Sequence, residues 1–391
     1  MTRSAWLAAG ALAIALVVGY GAAVRADFYR QTDFRCLWGG ARAVLEHADP
    51  YDRSSWEHIV GTPTEEVNGQ VVRICPDRFR YPLWTAVLLA PLGALQLEGA
   101  AVVWGVLNVA AVLFGIGWVW RVARGTTGGP LFAAIVLTSQ PFWLLLSNGQ
   151  LGGLVFGAVA LELWLADRGR LAWAGGVLAL LAAKPQLFAL YLPARLVRAV
   201  ASRQWPYLLA ATAVGLALAI SSVTLLPSWP GSWLGDVFGD RAGIHQRLAT
   251  VWDLAGSLGG GAWLAVLLVL GVIATIVVVV GRRPVSAPQL AGLAIAVSVF
   301  AAPYAWSYDY LVLAVPWAMT IANADRAAAS TRLRVALVVS ASLLPWTLYA
   351  AAFQRGDESL SAIIPAAAAI LLAVSIRAGA DGQTRTQLPF G

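Results

Sequence analysis

The sequence predicts an all-α polytopic membrane protein of about twelve transmembrane helices, with one long outer loop near its start. Three observations carry this reading. Mean hydropathy is +0.71, with 59% apolar and 12% charged residues, far from the balance of a soluble domain. Apolar runs near twenty residues recur along the chain, and in lipid only helices or closed barrels satisfy every backbone polar group. The third observation is a contrast: residues 25–81 hold 17 of the 47 charged side chains, both cysteines and two of the three histidines. The net charge of +7 suggests nucleic acid only until the cations are placed. Most lie in short loops between apolar runs, where they set orientation, so no nucleic-acid partner is expected.

The elements follow in order. Arg3 and the apolar run that ends at Val24 have the look of a signal peptide. Their length, and the spans that follow, favour a retained first helix over 4–24. The polar stretch 25–81 comes next. Residues 82–96 are apolar but short, with Pro82 and Pro91 inside, and either cross or lie in the interface. Further spans are expected at 99–120, 130–147, 150–166, 171–183, 185–200, 205–226, 262–281, 288–302, 308–324, 334–352 and 359–376. The segments 171–183 and 185–200 fall below the usual roughly 20 residues and are expected to be tilted or broken.

Arginines decide the topology. If 82–96 does not cross, fifteen arginines, from Arg3 through Arg121, Arg168, Arg195 and Arg282 to Arg385, face the cytoplasm against the loop acids Asp167, Asp325 and Asp381. If it crosses, all but Arg3 face outside, against the positive-inside rule. The first arrangement gives a multi-pass protein of the cell membrane with both termini in the cytoplasm. Its outer face collects the 25–81 loop, Asn148-Gly149-Gln150, Lys184-Pro185-Gln186, the 227–250 loop, Tyr304–Tyr310 and Arg355–Glu358. Chemistry is therefore expected on the extracytoplasmic side.

Several residues there are candidates. Asp33 follows closely on the first span, and an acid near the lipid boundary is costly unless paired or used. It is either a general base that deprotonates a hydroxyl, a partner for Arg35, or an N-cap for the helix that follows. Asp49-Pro50-Tyr51-Asp52 is turn chemistry, with Asp52 placed to cap a helix. Cys36 and Cys75 share the outer loop and are either a disulfide or two buried thiols. Arg78 and Arg80, beside Phe79 and Tyr81, suit an anionic phosphate or ordinary interfacial anchoring. Lys184, the sole lysine, lies between two apolar segments, where it contacts a phosphate or snorkels to the interface.

The 227–250 loop offers Trp229, Trp233, Asp236, Asp240, Arg241, His245 and Arg247, a set used by sugar sites and by membrane aromatic belts alike. Asp309 either binds a hydroxyl or caps the span it begins. No phosphate loop, dinucleotide fingerprint or zinc motif is present. No cofactor and no metal are therefore expected, and a substrate would arrive through the lipid bilayer.

In order along the chain stand Asp33-Phe34, Ala41-Arg42-Ala43-Val44-Leu45, Asp49-Pro50-Tyr51-Asp52, Arg80-Tyr81-Pro82, Leu88-Leu89-Ala90-Pro91-Leu92, Asn148-Gly149-Gln150, Lys184-Pro185-Gln186 and Tyr308-Asp309-Tyr310-Leu311. This ordered set, over about residues 1–320, resembles glycosyltransferase family 87, membrane transferases of the GT-C class. The resemblance implies a single integral membrane GT-C domain over 1–391. It also implies that a first extracytoplasmic loop over 25–98 carries the catalytic acid at Asp33. The implied donor is a polyprenyl-phosphate sugar, mannose or a related hexose, and the implied acceptor is a lipid or glycan hydroxyl. Arg78, Arg80, Tyr81, Gln150, Lys184, Arg241, His245 and Asp309 are the expected phosphate- and substrate-binding residues. Two other readings compete: a transporter or flippase of a lipid-linked glycan, whose kind usually shows paired repeats with broken helices at mid-depth, and an inactive envelope scaffold.

Overall fold

The computed structural model describes residues 32–62, 64–67, 70–125, 127–238, 247–326 and 330–386. The expected first span, 4–24, and the candidates Arg241 and His245 lie outside them. The described chain is almost wholly helical. The polar loop forms α1 (Phe34–Leu45), α2 (Arg53–Val60) and a small antiparallel hairpin of β1 (Thr64–Val67) and β2 (Gln70–Arg73). The hairpin departs from the all-α expectation, and it stays in the polar loop outside the helical core.

The remaining helices are α3 (Leu83–Gly93), α4 (Leu97–Ala123), α5 (Gly129–Thr138), α6 (Gln140–Asn148), α7 (Gly152–Asp167), α8 (Leu171–Leu180), α9 (Tyr191–Ala201), α10 (Trp205–Leu225) and α11 (Trp229–Phe238). They continue as α12 (Val251–Ser257), α13 (Gly261–Val280), α14 (Ala287–Ala301), α15 (Ala314–Ala324), α16 (Ser330–Val338), α17 (Leu344–Arg355) and α18 (Ile363–Thr386).

Length separates these helices. Five stretches are long and apolar enough to cross a membrane: Leu97–Ala123, Trp205–Leu225, Gly261–Val280, Thr331–Arg355 and Ser359–Gly379. The pair α5 and α6, bent by 45°, makes a sixth. The bend has a local cause. Ser139 takes an extended backbone, and Pro141 in the first turn of α6 supplies no N–H to continue α5. The other expected spans are built on helices of at most 16 residues, the length of α7, and 16 residues reach only about 24 Å against a core near 30 Å. Twelve continuous spanning helices are thus not what the described residues form. α3, with 11 residues, is far too short to cross alone, in keeping with an interfacial 82–96.

Two more breaks shape the fold. α8 runs into a 3₁₀ turn, Leu181–Ala183, and Lys184 leaves helical geometry (φ −137°, ψ 66°) before the 3₁₀ turn Pro185–Phe188. Pro185 forces this, because its ring disfavours a helical residue before it. A third break falls at 302–306, between α14 and the 3₁₀ helix Ser307–Leu313.

The polar side chains gather in two separate groups. Loops expected in the cytoplasm bond to one another: Arg124 pairs with Asp167, and Asp325 accepts from the Thr127 and Gly128 amides and pairs with Arg334. Loops expected outside also bond to one another, as the site below shows. Buried Glu162 of α7 accepts from Tyr191, Tyr207 and Arg195, locking α7 to α9 and α10. A buried carboxylate of this kind is tolerable only when so fully satisfied.

Candidate active site

α1 carries Asp33 at its start. One face of the helix packs Phe34, Leu37 and Ala41 into the core, with Phe34 on Trp104 at 5.5 Å. Asp33 occupies the cap position but makes no side-chain capping bond, and Arg35 Nε donates to the Val60 carbonyl at 2.6 Å. Asp52 does cap α2, accepting from the Ser55 amide at 2.9 Å. Its bonds from Ser54 and Ser55 hold its carboxyl below the usual range. Cys36, one turn after Asp33, is disulfide-bonded to Cys75, with Cα atoms 5.4 Å apart. This resolves the open alternative and ties α1 to the segment bearing Arg78, Arg80 and Tyr81.

Gln150 joins the halves of the site. Its amide nitrogen donates to the Asp33 carboxylate at 2.5 Å, and its carbonyl oxygen accepts from the Tyr81 hydroxyl at 3.1 Å. The turn before it depends on Gly149, which lies at φ +65° with Phe34 Cβ only 2.5 Å from where its own Cβ would stand. Trp104 donates to the Gly149 carbonyl at 2.7 Å. Position 149 therefore needs glycine on two counts, conformation and space.

Lys184 lies beneath this bridge, 2% exposed, and pairs with the fully buried Asp309 at 2.5 Å. Its ammonium also faces the Tyr81 ring at 5.7 Å and the Tyr308 ring at 5.4 Å, a cation–π arrangement. Thr85 and Trp84 of α3 donate to the Ala183 and Ala182 carbonyls and hold the broken 181–188 segment in place. Asp309 further accepts from the Trp306 amide at 3.2 Å, so it caps as well as pairs. Tyr81 has a phenol pushed well above its ordinary value by burial first, and then by the charges of Asp309 and Asp33.

Three more residues complete the arrangement. Glu358 accepts from the Ser307 amide at 2.9 Å, and buried Gln140 donates to the Ser307 hydroxyl at 2.7 Å. Tyr304 accepts from the Trp306 indole at 3.1 Å. Sequence reading passed over Gln140 inside an apolar run. A polar residue amid lipid-length hydrophobics was the available signal. Arg78 and Arg80 are half-buried on either side of buried Phe79, and the Arg80 carbonyl accepts from Trp233 of α11 at 3.3 Å. Trp229 and Trp233 pack on Trp84 at 4.9 and 6.4 Å, against the outer loop. Asp33, Tyr81, Gln150, Lys184 and Asp309 are thus brought together, with Arg80 next to Tyr81 in the chain. No group of acids, histidines and cysteines suited to a metal occurs among the described residues.

A multi-pass helical membrane protein with a carboxylate, a buried lysine and several phenols at one end is the class that fold and site define. The chain belongs to glycosyltransferase family 87, whose family model matches residues 79–307, more than half of its length. It is therefore a membrane glycosyltransferase, which sets aside the transporter and scaffold readings. Asp33, Asp309 and Glu358 fall outside the matched stretch and join it only in the fold. Among solved structures the chain is similar to that of ArnT from Cupriavidus metallidurans bound to undecaprenyl phosphate, at 14% identity. That match covers 98% of this chain and 79% of that one with a TM-score of 0.43, too distant to carry a substrate across. No curated protein matches the sequence.

Proposed function

We propose that this glycosyltransferase moves a hexose, mannose in the first instance, from a polyprenyl-phosphate donor to a lipid or glycan hydroxyl on the extracytoplasmic face. The observation that carries the reading is the Gln150 bridge, which aims a half-buried carboxylate into the same cluster as the only lysine. Asp33 is the general base. The acceptor oxygen attacks the anomeric carbon, the carbon–oxygen bond to phosphate breaks with its electron pair going to the phosphate, and the acceptor proton passes to Asp33. One displacement inverts the anomeric centre. A phosphate monoester leaves without a proton, so a single base suffices.

Arg78 and Arg80, half-buried on either side of Phe79 and close to Tyr81 in the chain, are the guanidinium groups we assign to the phosphate, while Lys184 pairs with Asp309. The Lys184–Asp309 pair instead fixes Tyr81 and Tyr308 around the site, and Arg241 and His245 remain candidates for the substrate. Guanidinium groups would neutralise charge that grows on the leaving phosphate. Asp33→Asn should lower transfer from radiolabelled polyprenyl-phosphate-mannose to a lipid acceptor by roughly 10²–10⁴-fold, the usual worth of general-base catalysis. Donor binding should persist. Full turnover in the variant would remove Asp33 as the base.

A further inference from the structure

We propose that Trp306, Tyr304, Tyr308 and Tyr81 form a platform for a pyranose ring, with Trp306 as the stacking face; the proposal rests on the sugar-transfer reading above. A chain of contacts runs from the candidate base to this platform. Gln150 links Asp33 to Tyr81, and Lys184 faces both the Tyr81 and Tyr308 rings. Tyr308 stacks on Trp306 at 6.4 Å and 26°, and Trp306 donates to the Tyr304 hydroxyl.

The exposure pattern suits a ligand better than a core. Tyr308 is buried at 8% exposure and backs the platform, while Trp306, Tyr304, Tyr81 and Asp33 are each half-buried. A half-open aromatic face beside a carboxylate matches a pyranose, which offers apolar C–H groups on one side and hydroxyls on its rim. The Tyr304 oxygen accepts from the Trp306 indole, and a phenol keeps its own proton at neutral pH. It is thus left able to donate to a sugar hydroxyl. Glu358 and Asp309 accept from the Ser307 and Trp306 amides, and Gln140 holds the Ser307 hydroxyl, so the platform is set before the ligand arrives. A membrane aromatic belt explains single tryptophans near an interface but not a stacked and hydrogen-bonded Trp–Tyr cluster tied to an acid through Gln150 and Tyr81.

The pyranose belongs either to the lipid donor or to a glycan acceptor, and the test separates the two. Full-length protein in nanodiscs is titrated with farnesyl phosphate and with farnesyl-phosphate-mannose, -glucose and -galactose, and turnover is followed against acceptor concentration. Trp306→Ala should weaken the sugar-bearing donor by roughly tenfold, the scale of one good stacking contact. Bare farnesyl phosphate should bind as before, which also shows the variant to be folded. Trp306→Phe should recover most of the loss. A rise confined to the acceptor KM would place the same platform on the acceptor side. Equal loss for bare and sugar-bearing lipid, or no loss on either side, would overturn the platform while the sugar-transfer reading stands. Wild-type protein that distinguishes no sugar-bearing lipid from the bare one and transfers no sugar would sink both.

Discussion

Glu162 is fully buried and accepts from two tyrosines and Arg195. Removing one partner of such a cluster leaves the other charged and buried, at a cost of roughly 3–5 kcal/mol. Glu162→Ala and Glu162→Gln should therefore both lower the thermal unfolding temperature, Gln the less because it keeps an acceptor oxygen for the tyrosines; a Gln variant that melts with the wild type would show the charge to be incidental. Glu358 behaves differently. Burial raises its carboxyl above the ordinary 4.5, against the lowering effect of its Ser307 bonds. A raised acid binds its proton more tightly folded than unfolded, so stability falls as pH climbs from 4.5 through the folded value. Glu358→Gln mimics the protonated form. Melting curves of the two proteins should diverge with rising pH, wild type losing ground; parallel curves would contradict the shift.

Among the elements, α1 and α3 illustrate how the outer loop is held. Gly93 of α3 lies against the α1 backbone, with the Ala41 carbonyl carbon 2.6 Å from where a Cβ would be, so these helices approach as closely as backbones allow. The Cys36–Cys75 bond closes a loop with sequence separation 39, worth about 4 kcal/mol in the chain-entropy picture. Cys75→Ser should lower the melting temperature and cut transfer, because it frees the Arg78–Tyr81 segment from the helix bearing Asp33. Melting that is insensitive to reductant would show the bond to be dispensable. Local structure was legible in the sequence here: Asp52 caps as its turn chemistry predicts, and the short apolar run after Pro82 is a short helix. The disulfide was not, since two cysteines in one loop do not reveal whether their Cα atoms come within reach. Whether Lys184 meets a phosphate or snorkels is not decided by the sequence, because its partner, Asp309, is 125 residues away and nothing local announces the pair.

For the whole molecule, arginine bias sorted the loops into two sets, and each set bonds within itself. That sorting, and the family, were legible because charge placement and motif order survive in one dimension. The span count was less so. Hydropathy reports that a stretch is apolar but not that it bends at Ser139, stops at Pro185, or is too short to cross. The sidedness itself is open to measurement. A cysteine placed at 97 or 356 should react with a membrane-impermeant maleimide in intact cells, and one placed at 168 or 203 only after permeabilisation. The reverse pattern would overturn the extracytoplasmic assignment.

The three interruptions of the chain, at Ser139, Lys184 and 302–306, are drawn to one end by the Gln140–Ser307 and Lys184–Asp309 bonds. Each interruption breaks a helical ladder that hydrocarbon could not repair, and the fold keeps the breaks inside: Ser139, Gln140, Lys184 and Ser307 are all buried. The irregular backbone is thus shielded by protein, and lipid can close up to this end. A substrate with its reactive headgroup on a long isoprenoid tail would then reach the carboxylate from the side, its tail still in the leaflet. Neither a water-filled pore nor full extraction from the membrane would be needed.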